Sequence, residues 1–167
     1  MALMTAILCV SAYVSIPLPN GMHLTMLNFV ITIIVLSFPI ANSATIIGVW
    51  ILIGAIGIPV FIGGNAGIGY LMGPLGGFTF SFLIVALMIS PFTGGKNYSR
   101  IKYTIFAVIS AVLVDMIGTL WYMIFAHTSF MAAFAACFLP FIVIDCIKVV
   151  VAAQLIPQIT RLRQIGQ

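Results

Sequence analysis

The chain has 167 residues, 63% of them hydrophobic and 5% charged, with a net charge of +4 and a mean hydropathy of +1.33. A soluble core inside a solvated surface does not reach such values, so soluble enzymes and soluble binding domains are excluded and an integral membrane protein is indicated. The modest positive charge fits loops retained on the inner side of a bilayer and requires no nucleic-acid partner.

Apolar runs fall at about residues 1–16, 24–41, 44–62, 75–92, 103–126 and 130–156. A helical bilayer crossing takes about 20 apolar residues. The expected fold is therefore all-α, with six transmembrane helices in a single integral-membrane domain over residues 1–167. The runs do not alternate with period two, which argues against an outer-membrane barrel. The first run lacks a basic n-region and a small-residue cleavage site and leads directly into IPLPNG, so it reads as a retained helix. Breaks come at PLPNGMH, ANS, GGNAGIGY, TGGKNYSRIK and AHTS, where Pro, Gly and Asn interrupt the pattern.

Orientation follows from the basic residues. Lys96, Arg100 and Lys102 follow the fourth run, Arg161 and Arg163 follow the sixth, and Lys148 lies within it. Two spans separate the basic clusters, so both share one side, which the positive-inside rule makes cytoplasmic. Both termini are then cytoplasmic, and the glycine-rich stretch and both histidines belong to the outer half.

The acidic residues are Asp115 and Asp145, and both fall within apolar runs. An ionised group at a helix centre costs about 2.5–3.5 kcal/mol on insertion scales, so each needs a partner or a cavity. Asp145 and Lys148 stand at i and i+3 in IVIDCIKVV and share a helix face. They form either a structural ion pair or, the reading the chemistry favours, a polar socket: the carboxylate accepts N–H groups and the ammonium donates to oxygens. Leu139-Pro140 marks the start of this last regular helix, which puts Asp145 about two turns inside it. Asp115, in AVLVDMIGTLWY, has Thr119 one turn on and Trp121 and Tyr122 two turns on. Structural and ligand roles both remain open for it.

In PVFIGGNAGIGYLMGPLGGF, seven residues are Gly, a composition that favours irregular backbone over a stable helix. Irregular backbone at membrane depth survives when buried in protein or lining a cavity. The stretch is either a plain outer loop or the cover of a site to which Asn65 and Tyr70 contribute polar groups. It does not spell GxGxxG and no strand precedes it, so it is not a dinucleotide turn. Cys9, Cys137 and Cys146 lie singly in apolar surroundings without metal-ligand spacing and read as small buried hydrophobes.

IGIPVFIGGNAGIGYLMGPLGGF closely resembles the glycine-rich segment of the BioY family, the biotin-binding S-components of energy-coupling-factor (ECF) vitamin transporters. FLPFIVIDCIK resembles that family's last-helix signature, and SAYVSIPL and GTLWY are similar to further landmarks along nearly the whole chain. The resemblance implies a six-helix S-component in a prokaryotic cell membrane that captures biotin from outside with high affinity. It implies as partners a membrane T-component and two cytoplasmic ATPases, with delivery by toppling in the bilayer and no cofactor or metal. Ligand contacts implied by the family carry over to Asp145, Lys148 and Asn65. Biotin's ureido ring offers two N–H donors and one carbonyl, and its apolar remainder suits a wall from Tyr70, Phe78 or Trp121. The family's T-component contact on the first helix carries over to Ala2 and Ala6, although Ala107 with Ala111 and Ala132 with Ala136 repeat that spacing.

The chain also departs from its relatives. Asn28 stands where many have Gln, Asp115 where an uncharged residue is expected, and no Arg lies in the outer half. Lipoate or another small apolar carboxylate is therefore the alternative ligand.

Other activities fit less well. Two intramembrane aspartates suit an aspartyl protease dyad, but neither follows Gly-x-Gly, and Lys148 would hold Asp145 ionised. SPFTGGKN lacks the first Gly and the final Ser or Thr of a phosphate-binding loop, so ATP hydrolysis is assigned to partner chains. A passive channel would call for rings of like charge, which the sequence lacks.

Overall fold

The computed structural model describes residues 1–17, 23–94, 96 and 98–165, with side chains described as far as residue 159. Most of PLPNGMH, two positions of TGGKNYSRIK, and the side chains of Arg161 and Arg163 lie outside the described residues.

Helix α1 (Ala2–Ser11) leads into a two-stranded antiparallel hairpin, β1 (Ser15–Pro17) and β2 (His23–Thr25), with Ile16 opposite Leu24. Helices α2 (Leu27–Ser37) and α3 (Ile40–Ala55) follow. The glycine-rich stretch carries a 3-10 turn (Ile62–Gly64) and the single-turn helix α4 (Ile68–Leu71). Helices α5 (Gly76–Thr93) and α6 (Arg100–Phe125) come next. The chain ends with α7 (Phe130–Ala133), a π turn (Phe134–Phe138) and α8 (Leu139–Ile165).

All six apolar runs contain a helix. The stretches Gly76–Thr93, Arg100–Phe125 and Phe130–Ile159 are long and apolar enough to cross a bilayer, whereas α1, α2 and α3 are shorter apolar helices. Three of the six expected spans thus have the full length and composition of a bilayer crossing among the described residues, and the other three apolar runs carry shorter helices. Strands and a breaker take up the rest of the runs: α1 stops at Ser11 and the first run continues into β1, β2 takes the start of the second, and Pro39 splits α2 from α3. The hairpin itself was not expected from the apolar pattern.

Helix α5 packs on α3 and α6, and α8 packs on α2 and α6. Leu8, Leu27, Ile34, Trp50, Phe61, Phe82 and Tyr103 are fully buried among them. Prolines leave carbonyls without their helical donors, and the fold supplies others. Pro39 has no N–H for the Val35 carbonyl, which accepts Ser90 Oγ at 3.1 Å and Thr93 Oγ1 at 3.2 Å. Pro157 has none for the Ala153 carbonyl, which accepts Tyr98 Oη at 3.3 Å.

These bonds gather the α2–α3 joint, the α5–α6 connection and the later part of α8 at one end of the bundle, with Lys96, Arg100 and Lys102. The hairpin and the glycine-rich stretch gather at the other end. There Gly63, Gly64 and Gly67 adopt positive φ, and Gly63 lies so close to His23 that a Cβ would sit 3.0 Å from its ring.

Candidate functional site

A pocket opens at the glycine-rich end, bounded by β2, α2, the 3-10 turn, α5, α6 and α8. Its empty space, open mouth included, is about 440 Å³. Leu75, Phe78, Phe82, Phe141 and Ile62 form apolar walls, while His23, Thr25, Asn28, Asp115 and Asp145 supply polar groups. An apolar cleft with few convergent polar groups is the usual form of a small-molecule site.

Asp145 is the most heavily tied of these groups. On α8 it is 3% exposed. Lys148 Nζ lies 2.5 Å from its Oδ1, as expected for i,i+3 neighbours, and donates also to the Thr25 carbonyl at 2.8 Å. Asn28 Nδ2 donates to Asp145 Oδ2 from α2. The carboxylate therefore joins α8 to α2, and the ammonium joins α8 to β2. The pair is desolvated but compensated, the condition under which buried charges are tolerated.

Asp115, on α6, lines the same pocket and is 1% exposed, and its Oδ2 has no hydrogen-bond partner in the protein. His23 Nδ1 and Thr119 Oγ1 are likewise buried without one. Phe78 reaches the pocket wall because Gly118 gives it room: a Cβ at 118 would sit 2.3 Å from the ring.

Other residues singled out from the sequence lie beside the pocket rather than on its walls. Trp121 donates its indole N–H to the Gly73 carbonyl at 2.9 Å, and Gly77 packs against its Cβ, so it anchors the glycine-rich stretch to α6. Tyr70 stacks on Phe61 at 4.8 Å. Its phenol lies near Thr79 and Ile62 without a well-formed hydrogen bond, and burial pushes it up to about 12, so it remains protonated. Asn65 donates to the Ile62 carbonyl at 2.7 Å and closes the 3-10 turn. Of the three candidate wall residues, Phe78 faces the pocket and Tyr70 and Trp121 support its cover. Ala2 and Ala6 are exposed on α1, where Ala6, Ile7, Val10 and Ser11 line a shallow apolar groove.

Sequence reasoning did not place Thr25, Phe82 or Phe141 in the site. Thr25 depends on the hairpin, and the two aromatic residues are indistinguishable in sequence from other apolar helix positions.

The BioY family model matches residues 1–165. The chain belongs to the BioY family. It is 38% identical over 101 residues to biotin transporter BioY2 of Lactococcus lactis subsp. cremoris, covering 60% of this chain and 56% of that protein. It is 31% identical over 150 residues to the biotin transporter BioY of Thermotoga maritima, covering 89% of this chain and 86% of that one. The match thus spans little more than half the Lactococcus relative and most of the Thermotoga one. A crystal structure of the S-component for biotin from an ECF-type ABC transporter superposes with a TM-score of 0.85, at 22% identity, over 96% of this chain and 88% of that one. This BioY protein therefore has the S-component fold and is a multi-pass membrane protein.

Proposed function

We propose that this chain is the biotin-binding S-component of an ECF-type uptake transporter, a transport subunit rather than an enzyme. The observation that carries the reading is the closed polar corner of an otherwise apolar pocket: Asp145, held by Lys148 and Asn28, beside Phe78, Phe82 and Phe141. Biotin matches that corner, with ureido N–H groups for the carboxylates and an apolar thiophane and valeryl chain for the aromatic walls. The names of the relatives support the same ligand. Asn65 and Tyr70 act from the cover, by holding the glycine-rich stretch over the ligand.

The decisive experiment is calorimetric titration of the purified protein in detergent with biotin, using lipoate and thiamine as comparators. Tight one-to-one biotin binding is expected. Tight binding of lipoate with none of biotin would reassign the ligand while leaving the S-component reading intact.

Energy comes from outside the chain, through a membrane T-component of the EcfT type and two cytoplasmic ATPases of the EcfA type. The exposed face of α1 carrying Ala2 and Ala6 is the docking surface for the T-component, because small residues four apart allow close helix approach. Ala6→Trp is expected to abolish T-component co-purification and uptake while leaving biotin affinity within about 2-fold of wild type. Unimpaired co-purification would remove this face from the interface.

A further inference from the structure

Asp115 and Asp145 line one pocket from neighbouring helices, but the fold treats them differently. Asp145 accepts from Asn28 on Oδ2 and is ion-paired with Lys148 through Oδ1, whereas Asp115 Oδ2, in a residue 1% exposed, has neither a hydrogen bond nor an ion pair from the protein. Leaving a buried polar atom unpaired costs about 1–3 kcal/mol. An apolar side chain would remove that cost, so stability does not account for an aspartate at this position. The hydroxyl one helical turn on does not relieve it, since Thr119 Oγ1 is itself without a partner. The unpaired oxygen belongs to a residue that lines the pocket beside Phe78 and Phe82.

We propose that Asp115 is a specificity-determining residue of this pocket, its carboxyl oxygen accepting one ring N–H of the ligand's cyclic urea while Asp145 accepts the other. This assignment rests on the biotin-binding reading above. A carboxyl keeps an acceptor lone pair in either protonation state, so the role does not depend on its ionisation. Two acceptors on two helices ask for two donors on one ligand head. A cyclic urea carries them on either side of its carbonyl, and the dithiolane of lipoate carries none. Against lipoate the Asp115 oxygen stays buried and unpaired, and a buried group left unpaired is how a polar site rejects a ligand lacking the matching donor.

The test uses the full chain in detergent, with Asp115→Asn and Asp115→Leu titrated calorimetrically against biotin, lipoate and the two biotins singly methylated on a ureido nitrogen. Asp115→Leu is expected to weaken biotin roughly 10- to 100-fold and Asp115→Asn less, with lipoate unchanged or tighter. One methylated isomer, the one whose nitrogen faces position 115, should lose most of its penalty in Asp115→Leu, a pattern that a purely structural role would not produce. Wild-type biotin affinity in both variants would overturn the assignment. So would an equal loss for biotin and lipoate with both methyl penalties intact. If the wild-type protein binds no biotin, the ligand reading fails and carries this assignment with it; if only the variants behave as wild type, the ligand reading stands alone.

Discussion

The two ends of the bundle handle buried polar atoms in opposite ways. At the basic end, carbonyls released by prolines are taken up by Ser90, Thr93 and Tyr98. Ser43 donates to the Ile34 and Phe38 carbonyls, and Tyr103 to those of Thr93 and Lys96. Ser37 Oγ is the exception there. At the glycine-rich end His23 Nδ1, Tyr70 Oη, Thr79 Oγ1, Asp115 Oδ2 and Thr119 Oγ1 are all buried without partners. Buried polar groups are ordinarily paired, and clusters of exceptions point to function. One end holds the helices together, and at the other the unpaired polar atoms gather around the pocket.

The largest effect that tests this contrast is at the charged pair. Asp145→Asn and Lys148→Ala are each expected to weaken biotin binding by at least about 100-fold, since removing one member of a desolvated pair strands the other. Calorimetry measures the loss, and a thermal melt in detergent separates it from unfolding. Wild-type affinity in both variants would return the pair to a structural role and remove the functional half of the contrast.

A smaller effect is expected from Gly118→Ala. The added Cβ would meet the Phe78 ring at 2.3 Å, forcing the ring into the pocket or the helices apart, and overpacking of this kind costs about 1–3 kcal/mol. Affinity should fall roughly 10-fold, and Phe78→Leu in the same background should restore part of it. An unchanged dissociation constant would show that Phe78 does not shape the bound site.

At the opposite end, Tyr103→Phe removes donation to the Thr93 carbonyl at 2.5 Å and the Lys96 carbonyl at 3.0 Å. The melt should drop by the equivalent of about 1 kcal/mol with biotin affinity unchanged. A loss of affinity comparable to the loss of stability would mean that the two ends are not separable.

Much of this division was legible in the sequence and some was not, for physical reasons. Helical runs announce themselves by composition, and Asp145 with Lys148 is a local pair, so adjacency on a helix face follows from spacing alone. The link from Asn28 to Asp145 spans 117 positions, and no local rule supplies it. The hairpin carries only three residues per strand, too few for a period to show, yet it delivers His23 and Thr25 to the pocket. Trp121 looked like a wall because aromatic residues often are; only the position of the Gly73 carbonyl reveals that its N–H is committed elsewhere. Apolar composition does not mark where α1 gives way to β1 or where Pro39 divides α2 from α3, because strand and break residues there leave hydropathy high.

The finest test applies one substitution to both ends. Thr93→Val removes a hydroxyl that donates to the Val35 and Ile89 carbonyls at 3.2 Å each. Hydrogen bonds within membrane proteins average about 0.6 kcal/mol, so a small but measurable fall in stability is expected. Thr79→Val replaces a buried hydroxyl that has no partner with a methyl of similar size, and removing an unpaired polar atom at constant shape is near neutral or stabilising. Melts of the two variants without ligand should therefore separate, with Thr93→Val lower and Thr79→Val at or above wild type. Thr79 lies next to Tyr70 beneath the glycine-rich cover, so the order should reverse in saturating biotin if that hydroxyl pairs only once ligand orders the cover. An unchanged order would confine the functional orphans to the pocket walls, with Thr79 a passive member of the core.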